Sequence, residues 1–155
     1  MKKLKVYLET SVVNFLISKE KDEKVEFTRI LFEQIERGEY EAYISDLVIQ
    51  EIRNAPEEKQ KELVSIVKKY SLPILPHTDE ATELAEEYMK EKIIPQKYFA
   101  DAIHIGISVV NNIDILLSWN YEHIVKIKTI WGVNGVNRRI GYKEIEIRTP
   151  EEVVL

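Results

Sequence analysis

Apolar positions along the chain fall alternately into short runs and helical stripes. Residues 4–8, LKVYL, form a short apolar-rich run containing Val6 and Tyr7, which predicts a strand, and Thr10 or Ser11 then offers an N-cap for a helix. Over residues 26–37, Phe27, Ile30, Leu31 and Ile35 repeat at helical spacing and the stripe stops at Gly38. A brief strand over 42–45 leads into a helix from Asp46, and 57–70 reads as another amphipathic helix. Prolines bracket 72–75, a short strand or extended link. Residues 78–92 predict a strongly acidic helix whose Leu84, Ala85 and Tyr88 face inward, so its acids form a solvated cover.

Residues 98–110 are apolar almost all the way round, the mark of a central helix packed on most of its circumference. The aliphatic run 113–117 predicts a buried strand, 120–125 a short helix and 144–148 a last strand. Thr149, Pro150 and Glu152 make a capping box with proline at the first helical position. Strands alternating with helices imply right-handed crossovers and an α/β fold of three layers, a central mainly parallel sheet with helices on both faces. With 155 residues and no repeat or linker, one domain over 1–155 is expected.

Composition narrows the class of function. Net charge is -5, from 27 acidic and 22 basic residues, so any polyanion must be met by a local patch. There is no cysteine, which removes disulfides, thiolate metal sites and a cysteine nucleophile. The basic and then apolar start is interrupted by Glu9 with no small-residue cleavage site after it, and no uncharged stretch approaches the roughly 18 residues of a membrane span. A soluble, cytoplasmic protein without membrane contact is the expectation.

Three acids stand out by their surroundings. Asp101 lies in KYFADAIHIGISVV, the most apolar helix of the chain, where an uncompensated carboxylate costs several kcal/mol. Proximity to the helix N-terminus is one source of compensation and a bound cation is another. Glu51 falls on the apolar stripe of Ile44, Leu47, Val48, Ile52 and Ala55, away from Gln50, Arg53 and Asn54. It therefore points to the core or a cleft, unless a lysine pairs with it. Glu9 directly follows the first strand, at the edge where open α/β sheets bind ligands, or it caps the helix that follows. Convergence of the three requires a cation, and all-oxygen ligands point to magnesium or manganese.

LETSVVNFL, ISDLVIQEI, FADAIHIGIS and ILLSWNYEHI, in this order and spacing, resemble the four motif blocks of the PIN-domain family. The resemblance spans nearly the whole chain and implies a PIN-like α/β/α fold. It further implies a magnesium- or manganese-dependent endoribonuclease, often the toxin of a VapBC-type pair with a small antitoxin partner, and a homodimer. By motif position Glu9, Glu51 and Asp101 match the first, second and third acids and are the expected metal ligands. Thr10 or Ser11 matches the hydroxyl after the first acid, while Ser118 and Asn120 match the hydroxyl and acidic positions after the fourth strand.

Two departures bear on activity. Glu9 stands where the family usually has aspartate, and Asn120 where it usually has another acid. An asparagine coordinates through its carbonyl or through water but brings no charge, so one tightly held ion is expected. Asp114 opens its strand and belongs at the opposite edge. In the expected mechanism the ion activates water for in-line attack on an RNA phosphodiester and offsets transition-state charge. Thr10, Ser11 or Ser118 then orient water or a nonbridging oxygen. His104 reads as a satisfied core histidine, His123 as surface or packing, and a zinc site lacks ligands.

Residues 126–143 contain Lys126, Lys128, Arg138, Arg139 and Lys143 with no acid, and Trp119, Tyr121, Trp131 and Tyr142 lie in or beside them. That mixture suits stacking on single-stranded RNA, while the tryptophans equally suit core or dimer contacts. Gly132, Gly135 and Gly141 with Asn134 and Asn137 predict turns that bring backbone close to a ligand. A PIN-like module that binds RNA or protein without cutting is the competing expectation. A phosphoacceptor or phosphatase domain is disfavoured, because no lysine or aspartyl-nucleophile motif accompanies the first strand.

Overall fold

The computed structural model describes residues 2–154. Five strands, β1 (Leu4–Leu8), β2 (Tyr40–Ser45), β3 (Ile74–Leu75), β4 (Ile115–Leu117) and β5 (Glu146–Arg148), form one sheet in the order β3-β2-β1-β4-β5. Every pairing is parallel, as registers such as Val6 with Ala42, Val6 with Ile115 and Leu116 with Ile147 show. The sheet is thus wholly rather than mainly parallel among the described residues. Val6, Tyr7 and Leu8 in β1 are consecutive and all buried, which requires cover on both faces and explains why no apolar-polar alternation marks this strand.

Helices α1 (Thr10–Leu16), α2 (Glu23–Glu36), α3 (Asp46–Arg53) and α4 (Glu57–Lys69) connect β1 through β2 to β3, moving one way across the sheet. Helices α5 (Asp79–Lys90), α6 (Phe99–Val110) and α7 (Ile127–Ile140) connect β3 through β4 to β5, moving the other way. Right-handed crossovers in opposite directions place the two groups on opposite faces. The packing agrees: α1 lies on α2, α3 and α4, while α5 lies on α6 and α7. A final helix, α8 (Pro150–Val153), carries the expected capping box and packs on α2.

The direction of winding reverses between β1 and β4, so a crevice opens beyond their carboxyl ends, the place where ligands of open α/β sheets bind. Three local readings are corrected. α1 begins at Thr10 with Glu9 in the N-cap position, and the Glu9 side chain makes no capping bond. Residues 120–125 form a turn rather than a helix: the Asn120 carbonyl accepts from Ile124 N (3.2 Å) and Val125 N (2.8 Å), and an extended Lys126 (φ -154°, ψ 153°) ends the coil. Gly132 and Gly135 lie inside α7, where Gly132 meets Ile93, and of these three glycines Gly141 alone is a left-handed helix end, with φ 104°.

No helix among the described residues is long and apolar enough to cross a membrane.

Candidate active site

Strand β1 places Glu9 at the reversal point. Its N–H donates to the carbonyl of Leu117 (3.1 Å), continuing the β1–β4 ladder by one residue, and its carbonyl accepts from Val12 N (2.9 Å). The side chain, only 7% exposed, accepts at Oε1 from the hydroxyls of Ser11 and Ser118, each at 2.6 Å. Each serine is itself fixed, because Ser11 Oγ accepts from Trp119 N (2.9 Å) and Ser118 Oγ from Asn120 N (2.9 Å). The segment after β4 therefore closes over the segment after β1 by paired hydroxyl bridges.

Ser45 caps α3 through Val48 N (3.3 Å), and the helix then carries Glu51 toward α1 and α6. Glu51 Oε1 accepts from Thr10 Oγ1 (2.7 Å) and from His104 Nε2 (2.6 Å). A carboxylate only accepts, so Nε2 carries the proton of that bond. The opposite ring nitrogen, Nδ1, meets the Tyr7 hydroxyl at 2.6 Å, and that hydroxyl meets Ser45 Oγ at 2.7 Å. A buried chain Ser45–Tyr7–His104–Glu51–Thr10 thus joins β1, β2, α3, α6 and α1. His104 is the satisfied core histidine expected, and its partner is the second acid of the candidate site.

Asp101 lies half-buried in the first turn of α6, and Asn120 Nδ2 donates to its Oδ2 at 3.4 Å. Burial, then the charges of Glu9 and Glu51, push the Asp101 carboxyl above the ordinary aspartate range, although His104 and His123 pull the other way. Burial also pushes Glu51 upward, but the hydrogen bond and charge of His104 and the Thr10 hydroxyl outweigh it and hold that carboxyl low. In His104 itself, Glu51, Glu9 and Asp101 outweigh burial and raise the imidazole. The three acids therefore share one electrostatic neighbourhood.

As they stand, the acids are turned to protein donors: among the described residues no three Asp, Glu or His side chains draw together as a ready-made ion cage. The set is right in kind for a hard divalent cation. Its donors are oxygen, and each carboxylate gives one oxygen to the protein's hydrogen bonds (Glu9 Oε1, Glu51 Oε1, Asp101 Oδ2) with the second unclaimed among the described residues.

The PIN domain model matches residues 6–124. The chain belongs to the PIN-domain family. No curated protein matches it. Solved structures that resemble this PIN domain include VapBC2 from Rickettsia felis bound to a DNA fragment from its promoter (TM-score 0.60, 14% identity, 94% of this chain and 98% of that chain). VapC20 of Mycobacterium tuberculosis, a toxin that cleaves the sarcin-ricin loop, aligns with TM-score 0.59 and 14% identity over 90% of this chain and 98% of its own. DNA-bound VapBC from Salmonella typhimurium aligns with TM-score 0.54 and 17% identity, over 95% and 98%. At these identities the likeness establishes the fold.

Sequence reasoning missed Tyr7 and Ser45 as members of the site's buried network. The available signal was a tyrosine in an aliphatic strand two residues before the acid, since a buried hydroxyl needs a partner. Three other readings left open by the sequence are decided by the fold. Trp119 is a core residue: its indole N–H donates to Thr28 Oγ1 (2.9 Å) and its ring packs against Phe15, so it does not stack on RNA. Three cations of the basic stretch take part in surface ion pairs, Arg138 with Glu144, Arg139 near Glu91 (3.5 Å) and Glu87 (3.8 Å), and Lys143 with Asp114 (3.0 Å). Lys126 and Lys128 alone of the five are in no ion pair among the described residues. His123 is buried, its ring stacked on Tyr98 with centroids 3.8 Å apart, and neither ring nitrogen has a hydrogen-bond partner among the described residues. Asp114 lies where expected, at the amino edge, accepting from Lys5 N at 2.8 Å.

Proposed function

We propose that this PIN domain is a magnesium- or manganese-dependent endoribonuclease that cleaves RNA phosphodiesters, with Glu9, Glu51 and Asp101 as the ion's ligands. The observation that carries this reading is the hydrogen-bonded path from Glu9 through Ser118 and Asn120 to Asp101, with the separate Thr10–Glu51–His104 network beside it, at the reversal point of a parallel sheet. PIN and VapC proteins as a family are nucleases. A divalent cation bound there supplies a Lewis acid that lowers the pKa of water and offsets charge on the phosphoryl group.

The protein's own residues do the remaining work. Ser11 and Ser118 hold Glu9, while His104 and Thr10 hold Glu51, each by short bonds that restrict the carboxylate to one orientation. Such restraint lowers the cost of ordering the ligands when the cation and substrate arrive. We assign substrate contact to Lys126, Lys128 and exposed Tyr121, which lie on the loop and helix following Ser118. The VapBC complexes among the structural relatives support a small antitoxin as partner, and a homodimer belongs to the same proposal.

A second reading has its own observation: with no three acids gathered among the described residues and Glu9 in place of aspartate, the domain binds RNA or protein without cutting. Incubation of purified protein with mixed RNA and Mg²⁺ or Mn²⁺ separates the two. Cleavage lost on chelation and in both Glu51→Ala and Asp101→Ala is expected for the nuclease. Cleavage that survives both substitutions rules the site out, and RNA retention without cleavage in the native chain selects the binding module.

A further inference from the structure

We infer that Asn120 is a positioning residue that donates a hydrogen bond to Asp101 and limits the site to one cation, instead of serving as a ligand. The limit to one ion rests on the nuclease reading above; the hydrogen bond does not. The geometry fixes which end of the amide faces Asp101. His123 N–H is a donor only, so the Asn120 atom 3.0 Å from it is Oδ1, and Nδ2 is left to face Asp101 Oδ2 at 3.4 Å. Carrying only hydrogens, Nδ2 cannot ligate a cation.

Turning the amide over would give up the cap on His123 N–H, and the turn that supports it is well anchored. Ile124 N and Val125 N close on the Asn120 carbonyl, Thr129 Oγ1 donates to the His123 carbonyl (2.8 Å), and the His123 ring lies on Tyr98. The capping carbonyl that would have served as a ligand is therefore already committed.

Aspartate would cap this turn as well as asparagine. The two residues differ only at the atom that faces Asp101, an NH₂ in one and a second carboxylate oxygen in the other. Choosing the amide replaces a repulsion by an attraction at that point. It also keeps the neighbouring acids Glu9, Glu51 and Asp101 at three carboxylates, without the fourth that would hold a second cation.

Two measurements test this. In metal-free protein the Asn120 side-chain amide resonances, identified by their disappearance in Asn120→Asp, are expected to shift between the native chain and Asp101→Ala. Coincident resonances would overturn the hydrogen bond. In calorimetric titration with Mn²⁺, one ion per native chain and two per Asn120→Asp chain are expected. Two ions in the native chain, or an unchanged single ion in Asn120→Asp, would overturn the limit. Failure of the nuclease reading shows separately, as a native chain that neither binds Mn²⁺ nor cuts RNA, and the amide shift then still decides the role of Asn120.

Discussion

His104 is 1% exposed and stands between two oxygen partners, Tyr7 Oη and Glu51 Oε1, both at 2.6 Å. Removing the ring leaves a buried tyrosine hydroxyl and a half-buried carboxylate each short of a partner, in addition to a cavity. His104→Ala is expected to cost about 3 kcal/mol in urea unfolding, summing roughly one unsatisfied group with the lost packing. His104→Phe, which refills the space, should recover part of the stability and none of the orientation of Glu51, so cleavage stays low. Glu9, Glu51 and Asp101 were legible in the sequence because each is an acid where its local pattern wants an apolar residue or a strand end. The Tyr7–His104 and Ser118–Glu9 bonds were not, since they join residues 97 and 109 positions apart and no local pattern encodes such a pairing. The orientation of the Asn120 amide was equally hidden, because it depends on which backbone N–H the folded turn presents.

At the scale of elements, α5 and α6 approach so closely that a Cβ on Gly106 would lie 2.5 Å from the carbonyl oxygen of Ala81. Backbone cannot yield there as a flexible side chain would, so Gly106→Ala must push the two helices apart and shift Asp101 and His104 with α6. A loss of about 1–3 kcal/mol is expected from thermal or urea unfolding. Gly135 in α7 is the opposite case, with nothing within 4 Å of the point a Cβ would occupy. Gly135→Ala is expected to raise stability by roughly 0.5–1 kcal/mol through helix propensity alone. Gly132 and Gly135 hide α7 in the sequence: their conformational freedom suggests turns, whereas Thr129, Val133, Val136 and Asn137 carry a buried helical stripe through them. Strands β1 and β4 and the central helix α6 were legible because burial on nearly all sides leaves an uninterrupted apolar signature. The turn at 120–125 was not, because its first hydrogen bonds are those of a helix and only the extended Lys126 stops it.

For the molecule as a whole, the parallel sheet separates two edges with different chemistry. At the amino edge Asp114 is held below the ordinary aspartate range by the Lys5 N–H, with burial opposing and Lys143 and Lys2 adding to the lowering. An acid whose folded pKa is depressed contributes stability above its unfolded value and loses it as pH falls through the folded one. The native chain should therefore weaken, relative to Asp114→Asn, as pH drops from about 5 to about 3, read from the denaturation midpoint at each pH. At the carboxyl edge Asp101 carries the reverse sign: its raised pKa makes the ionised carboxylate a cost to the folded, metal-free protein at neutral pH. In the proposed nuclease, a cation shared with Glu9 and Glu51 would offset that cost. The most direct measurement is the melting temperature of the native chain and of Asp101→Asn at neutral pH, with chelator and then with Mn²⁺. Asp101→Asn is expected to melt higher than the native chain in chelator, and Mn²⁺ to raise the native chain while leaving Asp101→Asn nearly unmoved. An equal rise in both proteins would contradict the carboxylate site.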